Sequence, residues 1–335
     1  MIVIDGSKGE GGGQVLRTTI ALSALTGKPV RVTNIRAKRP KSGLQAQHIT
    51  AVKTVAELTG ATTKGLSIGS PEVEFYPRDI RGASFRVDIG TAGSVTLVLQ
   101  ALMIASTQAQ SKVEVDITGG TDVNWSPPID YLRFVTLPIL KKHGYNAAIK
   151  LFKRGFYPKG GGRVGVEISP KPLEGIKLVD PGEIVGIQGI SFAHSRLRDG
   201  RVAERQKEAA LRIIKAKFGK IEADISEEYV DSLSLGSGIV LWVQRENSRL
   251  GADSLGERGK RSELVGEEAA RDLLEEINSG ACLDRYMADQ IVPYLALAGG
   301  RASISQITRH TTTHIEVVKT FGFKVELKDK ILEAT

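Results

Sequence analysis

The chain has 335 residues, 41% hydrophobic and 25% charged, the proportions of a globular protein with a substantial core and not of a disordered or fibrous one. Forty-six lysines and arginines against 38 acidic residues leave a formal charge of +8, a balance that suits a polyanionic partner. The single cysteine, Cys282, excludes an intrachain disulfide and a thiolate zinc cage. No run approaches the roughly 18 uncharged apolar residues of a membrane span. The stretch Met1–Gly6 has neither the basic flank nor the long apolar run of a secretory signal, so a cytoplasmic location is expected.

In chain order, Ile2-Val3-Ile4 reads as a short buried strand running into the glycine-rich segment Gly9-Glu10-Gly11-Gly12-Gly13. Val15, Leu16, Thr19, Leu22 and Leu25 then recur at helical spacing, and Gly27-Lys28-Pro29 ends that helix. A strand follows at Val30–Thr33, a second amphipathic helix over 44–58, and a hairpin from Leu66–Ile68 to Val73–Tyr76. The same order recurs: a strand at Phe85–Val87, a helix over 95–104, a strand at Val113–Val115, a helix over 129–142, and a hairpin of 147–151 with 164–168. A strand at Ile187–Phe192 opens a third unit, which the helix over 286–298, the strand at 302–305, a helix after His310 and a strand at 324–327 complete. The stretch between is different in character, with charged helices over 201–218 and 263–277 flanking strands at 223–225 and 239–243. The expected fold is therefore α/β: a large domain, 1–183 plus 280–335, of three repeated units of about 75 to 85 residues. A smaller α/β domain, 184–279, is inserted in the third.

Three segments carry chemistry. Gly9–Gln14, between a strand and a helix, reads either as a tight turn or as an approach for phosphate, because glycines let backbone N–H groups come close and a helix start favours negative charge. It has no Gly-Lys-Ser/Thr and is not a P-loop. Glu10 is the odd member, since a carboxylate beside an expected phosphate makes sense with a divalent metal between them. The run 36–43 puts four cations in six residues, followed by Gln47-His48, and reads either as a solvated loop or as a phosphate surface. His310-Thr311-Thr312-Thr313-His314 opens a late helix; its histidines read as buried structural groups, as a metal pair lacking the glutamate and third ligand of a zinc site, or as a nucleophile.

These residues together resemble the RNA 3′-terminal phosphate cyclase family. The likeness runs from Asp5-Gly6 and Gly9–Gln14 through Arg17, Ile35-Arg36-Ala37, Gly43-Leu44, Gln47-His48, Gly93-Ser94, Thr96–Gln100, Gly119–Asp122, Pro127-Pro128, Gly155–Pro158 and Ala288–Gln290 to His310. It implies repeated βαβαββ-type units with a small domain inserted late. It also implies conversion of an RNA 3′-phosphate to a 2′,3′-cyclic phosphate at the expense of ATP. His310 matches the histidine that takes up AMP before passing it to the RNA end as RNA(3′)pp(5′)A. Glu10 matches the ligand of a catalytic Mg or Mn ion, and Arg17, Arg39, Gln47, His48 and Gln100 the phosphate site around it. Tyr286 and Pro127 match the pair that sandwiches adenine, with Asp289 and Gln290 nearby on the nucleotide. His314 departs from the asparagine many members carry. The family also holds non-catalytic relatives in ribosomal RNA processing, which lack the nucleophilic histidine, and enolpyruvyl transferases share the repeated-unit fold.

Overall fold

The computed structural model describes residues 1–219 and 221–335. The first sheet is built from β1 (Ile2–Asp5), β2 (Val30–Thr33), β3 (Thr62–Lys64) and β4 (Val73–Tyr76), with helices α1 (Gly13–Thr26) and α2 (Ala46–Thr59). Strand β2 shows why it forms: Val30 and Val32 are fully buried while Arg31 and Thr33 alternate outward. Both helices stop at a left-handed glycine, Gly27 and Gly60, a conformation that costs a residue without a Cβ nothing. The hairpin partner of β4 is Thr62–Lys64 and not Leu66–Ile68; Ile68 is 66% exposed, an apolar residue in a turn that mimics a strand in the sequence.

The second sheet holds β5 (Ser84–Asp88), β6 (Val113–Gly119), β7 (Asn146–Lys153) and β8 (Gly162–Ser169). Helix α3 (Val95–Ala105) and the run α4 (Ile129–Tyr131), a π turn (Leu132–Thr136) and α5 (Leu137–Lys141) cover it. A three-residue strand, β9 (Ile176–Leu178), comes next. The chain then builds a separate sheet from β10 (Ile184–His194), β11 (Ala223–Val230), β12 (Ser237–Arg245) and β13 (Arg249–Leu255), with α6 (Val202–Phe218) and α7 (Ser262–Asn278). It closes with α8 (Met287–Gln290), α9 (Val292–Ala298), β14 (Gly300–Ser303), α10 (Arg309–Thr320), β15 (Val325–Lys328) and β16 (Ile331–Ala334).

Three sheets share one pairing scheme, in the orders β1-β2-β4-β3, β5-β6-β8-β7 and β9-β14-β16-β15. In each the first two strands are parallel and the remaining pairs antiparallel. A parallel pair needs a crossover, which α1, α3 and the α8–α9 stretch supply. The strand that opens the third sheet is therefore Ile176–Leu178, which corrects the expectation that Ile187–Phe192 would. Residues 187–192 lie in β10 and pair with β11 and β12 instead. Two buried residues around one exposed lysine are too short a pattern to register against helical and strand periodicities.

Two hydrophobic cores result. The larger joins all three of these sheets and α1 to α3, and the smaller packs α6 and α7 on one face of the β10–β13 sheet through Ile187, Ile214, Ile225, Leu241 and Leu273. The opposite face of that sheet turns to the body, where Phe192, Val240 and Trp242 join the larger core and Trp242 stacks on Phe134 at 4.7 Å. A buried ion cluster crosses the same junction. Arg154, 1% exposed, reaches Asp122 (3.2 Å) and Asp130 (2.5 Å) in the body and Glu228 (2.7 Å) on β11. No helix among the described residues is long and apolar enough to cross a membrane.

Candidate active site at the starts of α1, α2, α8 and α10

The glycine segment crosses from β1 to α1 by lying directly on α10. Gly9 and Gly11 adopt φ of 58° and 66°, and a Cβ on Gly9 would fall 2.2 Å from the Thr313 hydroxyl. That hydroxyl accepts a 2.9 Å hydrogen bond from the Glu10 N–H, so the loop and the helix are fixed to each other. Gly13 serves a similar purpose on the other side, where a Cβ would strike His48 Nε2 and the Arg17 guanidinium. The first turn of α1 consequently faces the first turns of α2 and α10 at close range.

Gln14 is the residue that organises the centre. Its Nε2 donates to Asp289 Oδ2 (2.9 Å) and to the His310 carbonyl (3.2 Å), which fixes the amide orientation. Its Oε1 therefore meets His310 Nδ1 at 2.7 Å as an acceptor. The proton of the neutral ring is thus placed on Nδ1, leaving the Nε2 lone pair free. His310 is exposed, and its pKa is lowered by partial desolvation first and then by the charges of Arg17 and Arg39. A neutral imidazole with one free nitrogen is what nucleophilic attack requires.

His314, one turn on, is 6% exposed and has no nitrogen to spare. Its Nδ1 donates to the Asp289 carbonyl (2.5 Å) and its Nε2 accepts from Thr18 (2.7 Å). Burial pushes its pKa down to about 3, so it stays neutral and ties α10 to α1 and α8. His48 is a third buried neutral histidine, lowered to about 3 by desolvation and by Arg17 and Arg36. Its Nδ1 accepts from the Gln45 N–H in a capping box at the start of α2, which leaves Nε2–H as the donor on the side of Gly13.

Cations surround this centre. Arg17 makes no hydrogen bond or ion pair among the described residues, and burial lowers its pKa to about 10, with Asp289 acting against the shift. Arg39 pairs with Glu10 at the glycine segment. Arg36 is spent internally: at φ 54° it donates to the Lys41 and Gly43 carbonyls and closes the basic loop on itself. Gln47 is also committed, its Oε1 accepting from Ser94 N–H at 3.0 Å at the start of α3. Gln100, from α3, lines a small cavity with Gln14, Arg17, Thr18, Gln290 and His314.

Tyr286 caps α8 at the rim, 38% exposed, with its ring edge-on to Tyr131 at 6.0 Å. Burial and then the Asp253 charge raise its phenol to about 12. Pro127 lies just before the α4 turn that carries Tyr131, its carbonyl held by Thr96 (2.7 Å). Asp289 is pushed up to about 7 by burial, with Arg17 opposing. Gln290 spends both ends of its amide inside the protein, on Thr136 and the Tyr286 carbonyl, so it braces the rim and does not face the cleft. The structure thus brings Glu10, Arg17, Arg39, His48, Gln100, Asp289 and His310 around one centre, and places Pro127 and Tyr286 along its edge. Gln14, Thr18 and Thr313 had no role in the sequence reading; a buried glutamine at the start of a helix, behind glycines, is the only trace they leave there.

A sequence model described as RNA 3′-terminal phosphate cyclase matches residues 8–328. The chain belongs to this family. Among its relatives, proteins named RNA 3′-terminal phosphate cyclase from Ignicoccus hospitalis and Pyrococcus furiosus are 50% and 49% identical to it. The alignments cover 98% and 97% of this chain and 94% of each relative. The relative of the same name from Hyperthermus butylicus is 49% identical over 95% of this chain and 91% of its own length. Among solved structures, the enolpyruvyl transferase NikO from Streptomyces tendae aligns with 99% of this chain and 64% of its own chain, at 12% identity and a TM-score of 0.30, too slight a likeness to bear on the site.

Proposed function

We propose that this chain is an ATP-dependent RNA 3′-terminal phosphate cyclase with His310 as its nucleophile. The observation that carries the assignment is the Gln14 amide, which accepts the Nδ1 proton of His310 and leaves Nε2 free, while both nitrogens of His314 are occupied. In the first step Nε2 bonds to the α-phosphorus of ATP as the bond to the β-phosphate oxygen breaks, and diphosphate leaves. An oxygen of the RNA 3′-phosphate then takes the phosphorus, the P–N bond returns its electrons to Nε2, and RNA(3′)pp(5′)A forms. The adjacent 2′-OH attacks the 3′-phosphorus, loses its proton to solvent, and expels AMP. A phosphate monoester is a poor electrophile, whereas the anhydride offers AMP as a leaving group, so the protein's task is positioning and charge neutralisation.

Arg17, with no partner of its own, and Arg39 suit the phosphates of ATP and of the RNA end, with Gln47, His48 and Gln100 shaping that side of the cleft. Glu10 fits a Mg or Mn ion of the kind held by one carboxylate and substrate phosphates. Among the described residues no group of three or more His, Cys, Asp or Glu side chains is assembled to hold an ion, so most of its ligands would be phosphate oxygens and water. When bound, the ion supplies further neutralisation of phosphate charge. Tyr286 and Pro127 suit the two faces of adenine, with Asp289 behind them and Gln290 as their brace. The catalytic body is 1–183 with 280–335, read as three copies of one βαβαββ unit, and 184–279 is an insert in the third. The three matching sheet orders and the separate small core support that division. The expected setting is the cytoplasm.

Incubation with α-labelled ATP and Mg or Mn, followed by denaturation and peptide mapping, tests the reading. The label is expected on the peptide carrying His310, acid-labile and absent from His310→Ala. An adduct mapped to His314, or one undiminished in His310→Ala, would overturn the assignment.

A further inference from the structure

Strand β13 delivers a carboxylate to the edge of the cleft that none of the roles above uses. Leu250 and Ala252 point into the small core, so the alternate residues Gly251, Asp253 and Leu255 face the body. The contacts agree: a Cβ on Gly251 would meet Tyr131 and Val135, and Leu255 packs against the larger core. Gly251 N–H donates to Asp284 Oδ2 at 2.8 Å, while Asp284 Oδ1 accepts from the Tyr131 hydroxyl (2.6 Å) and the Tyr286 N–H (2.9 Å). Two residues along, Asp253 is thereby set beside the Tyr131–Tyr286 pair, close enough for its charge to raise both phenols.

The other acids here are provided for. Asp122 and Asp130 meet Arg154, Asp272 lies 3.8 Å from Arg285, and Asp284 is saturated by the tyrosine and backbone donors just described. Asp253 accepts no hydrogen bond among the described residues. A partly buried carboxyl without a donor is costly, and burial, followed by the charges of Asp122, Asp272 and Asp284, pushes its pKa up to about 7. A donor supplied by a ligand would remove that cost.

We propose that Asp253 accepts a hydrogen bond from the exocyclic amine of adenine while Tyr286 holds the base by its face, making Asp253 a determinant of nucleotide choice. This rests on the placement of the base at Tyr286. An aromatic face is tolerant, because every base offers a π surface, whereas an acceptor at the base edge distinguishes an amino purine from one without the amine.

Adenylation can be compared with ATP and with purine riboside triphosphate, which differs only in lacking the amine. The unaltered protein should favour ATP in kcat/KM by about 10- to 100-fold, the range of a hydrogen bond to a charged group. In Asp253→Ala the ratio should collapse toward one, and in Asp253→Asn, which keeps an acceptor, it should fall between. Neither variant should melt below the original, since an unpaired buried charge is being removed. Tyr286→Ala should slow both nucleotides alike. A ratio unchanged in Asp253→Ala while Tyr286→Ala is impaired would overturn the role of Asp253 alone. Adenylation undiminished in Tyr286→Ala would overturn the placement of the base, and the proposal with it.

Discussion

When His310 Nε2 bonds to phosphorus, the ring takes on positive charge, and the hydrogen bond from Nδ1 to Gln14 strengthens as it does. Gln14 therefore acts on the barrier more than on the resting enzyme. A hydrogen bond to a charged group contributes about 1.5 to 3 kcal/mol, so Gln14→Ala should slow formation of the AMP adduct by about 10- to 100-fold. The variant is expected to hold its melting midpoint within a few degrees, because the cleft wall is open to water there. Gln14→Glu should behave differently. It keeps an acceptor for Nδ1 but loses the donor that meets Asp289, and it raises the His310 pKa by setting a second charge beside it. Its adenylation rate should therefore fall off at a higher pH than that of the parent. Stopped-time adduct assays across pH distinguish the two cases; a Gln14→Ala enzyme with unchanged adduct formation would remove the tautomer from the mechanism.

Helix α10 is docked by polar contacts as much as by Ile315, Val317 and Val318, and this makes its seating sensitive to acid. His314 is neutral in the fold, at about 3, against about 6.5 in an unfolded chain. Its contribution is present above pH 6.5 and is lost as pH falls from there toward 3, because the unfolded state then binds the proton and the folded state does not. The scale is on the order of 4 kcal/mol across the window. Asp253 and Asp289, raised to about 7, work in the opposite sense over part of that range, so the total curve is a poor gauge of His314. The difference between parent and His314→Asn isolates it: the asparagine variant should lose less stability between pH 6.5 and 4 in denaturant melts, and retain adenylation at neutral pH. Equal slopes would mean that His314 is not held neutral. How far such elements could be read in advance depended on their length. Helices α1, α6, α7 and α10 run 12 to 17 residues with clear apolar faces and were legible within a few positions. Strand β9 was too short, β13 is interrupted by Gly251 and Asp253, and β16 follows the apparent end of the pattern at 327. In the site, the motif residues were legible because they stand in family blocks. Gln14, Thr18 and Thr313 were not, because their importance lies in contacts roughly 300 positions away in the chain. Gln290 was read as facing the nucleotide, and only packing could show that its amide is already used.

Across the whole molecule, the junction between the two cores is narrow in apolar terms but crossed by Arg154. Burial opposes its charge, yet Asp122, Asp130 and Glu228 outweigh that effect and raise its pKa. Arg154→Met would leave Asp122 and Asp130 buried without their cation, and should destabilise the protein by about 3 to 5 kcal/mol in urea titrations. Glu228→Gln should cost much less, since Glu228 is 41% exposed and water can replace its partner. A loss under 1 kcal/mol in Arg154→Met would mean that the cluster is not the bond across the junction. The cluster also has a thermodynamic reach beyond its own energy. Two cores of such unequal size would ordinarily come apart at two temperatures, the smaller first. With Arg154 shared between them, neither can open without stranding charges in the other, so calorimetry on the parent should record one heat-absorption peak. The same scan on Arg154→Met should split into a shoulder and a main peak.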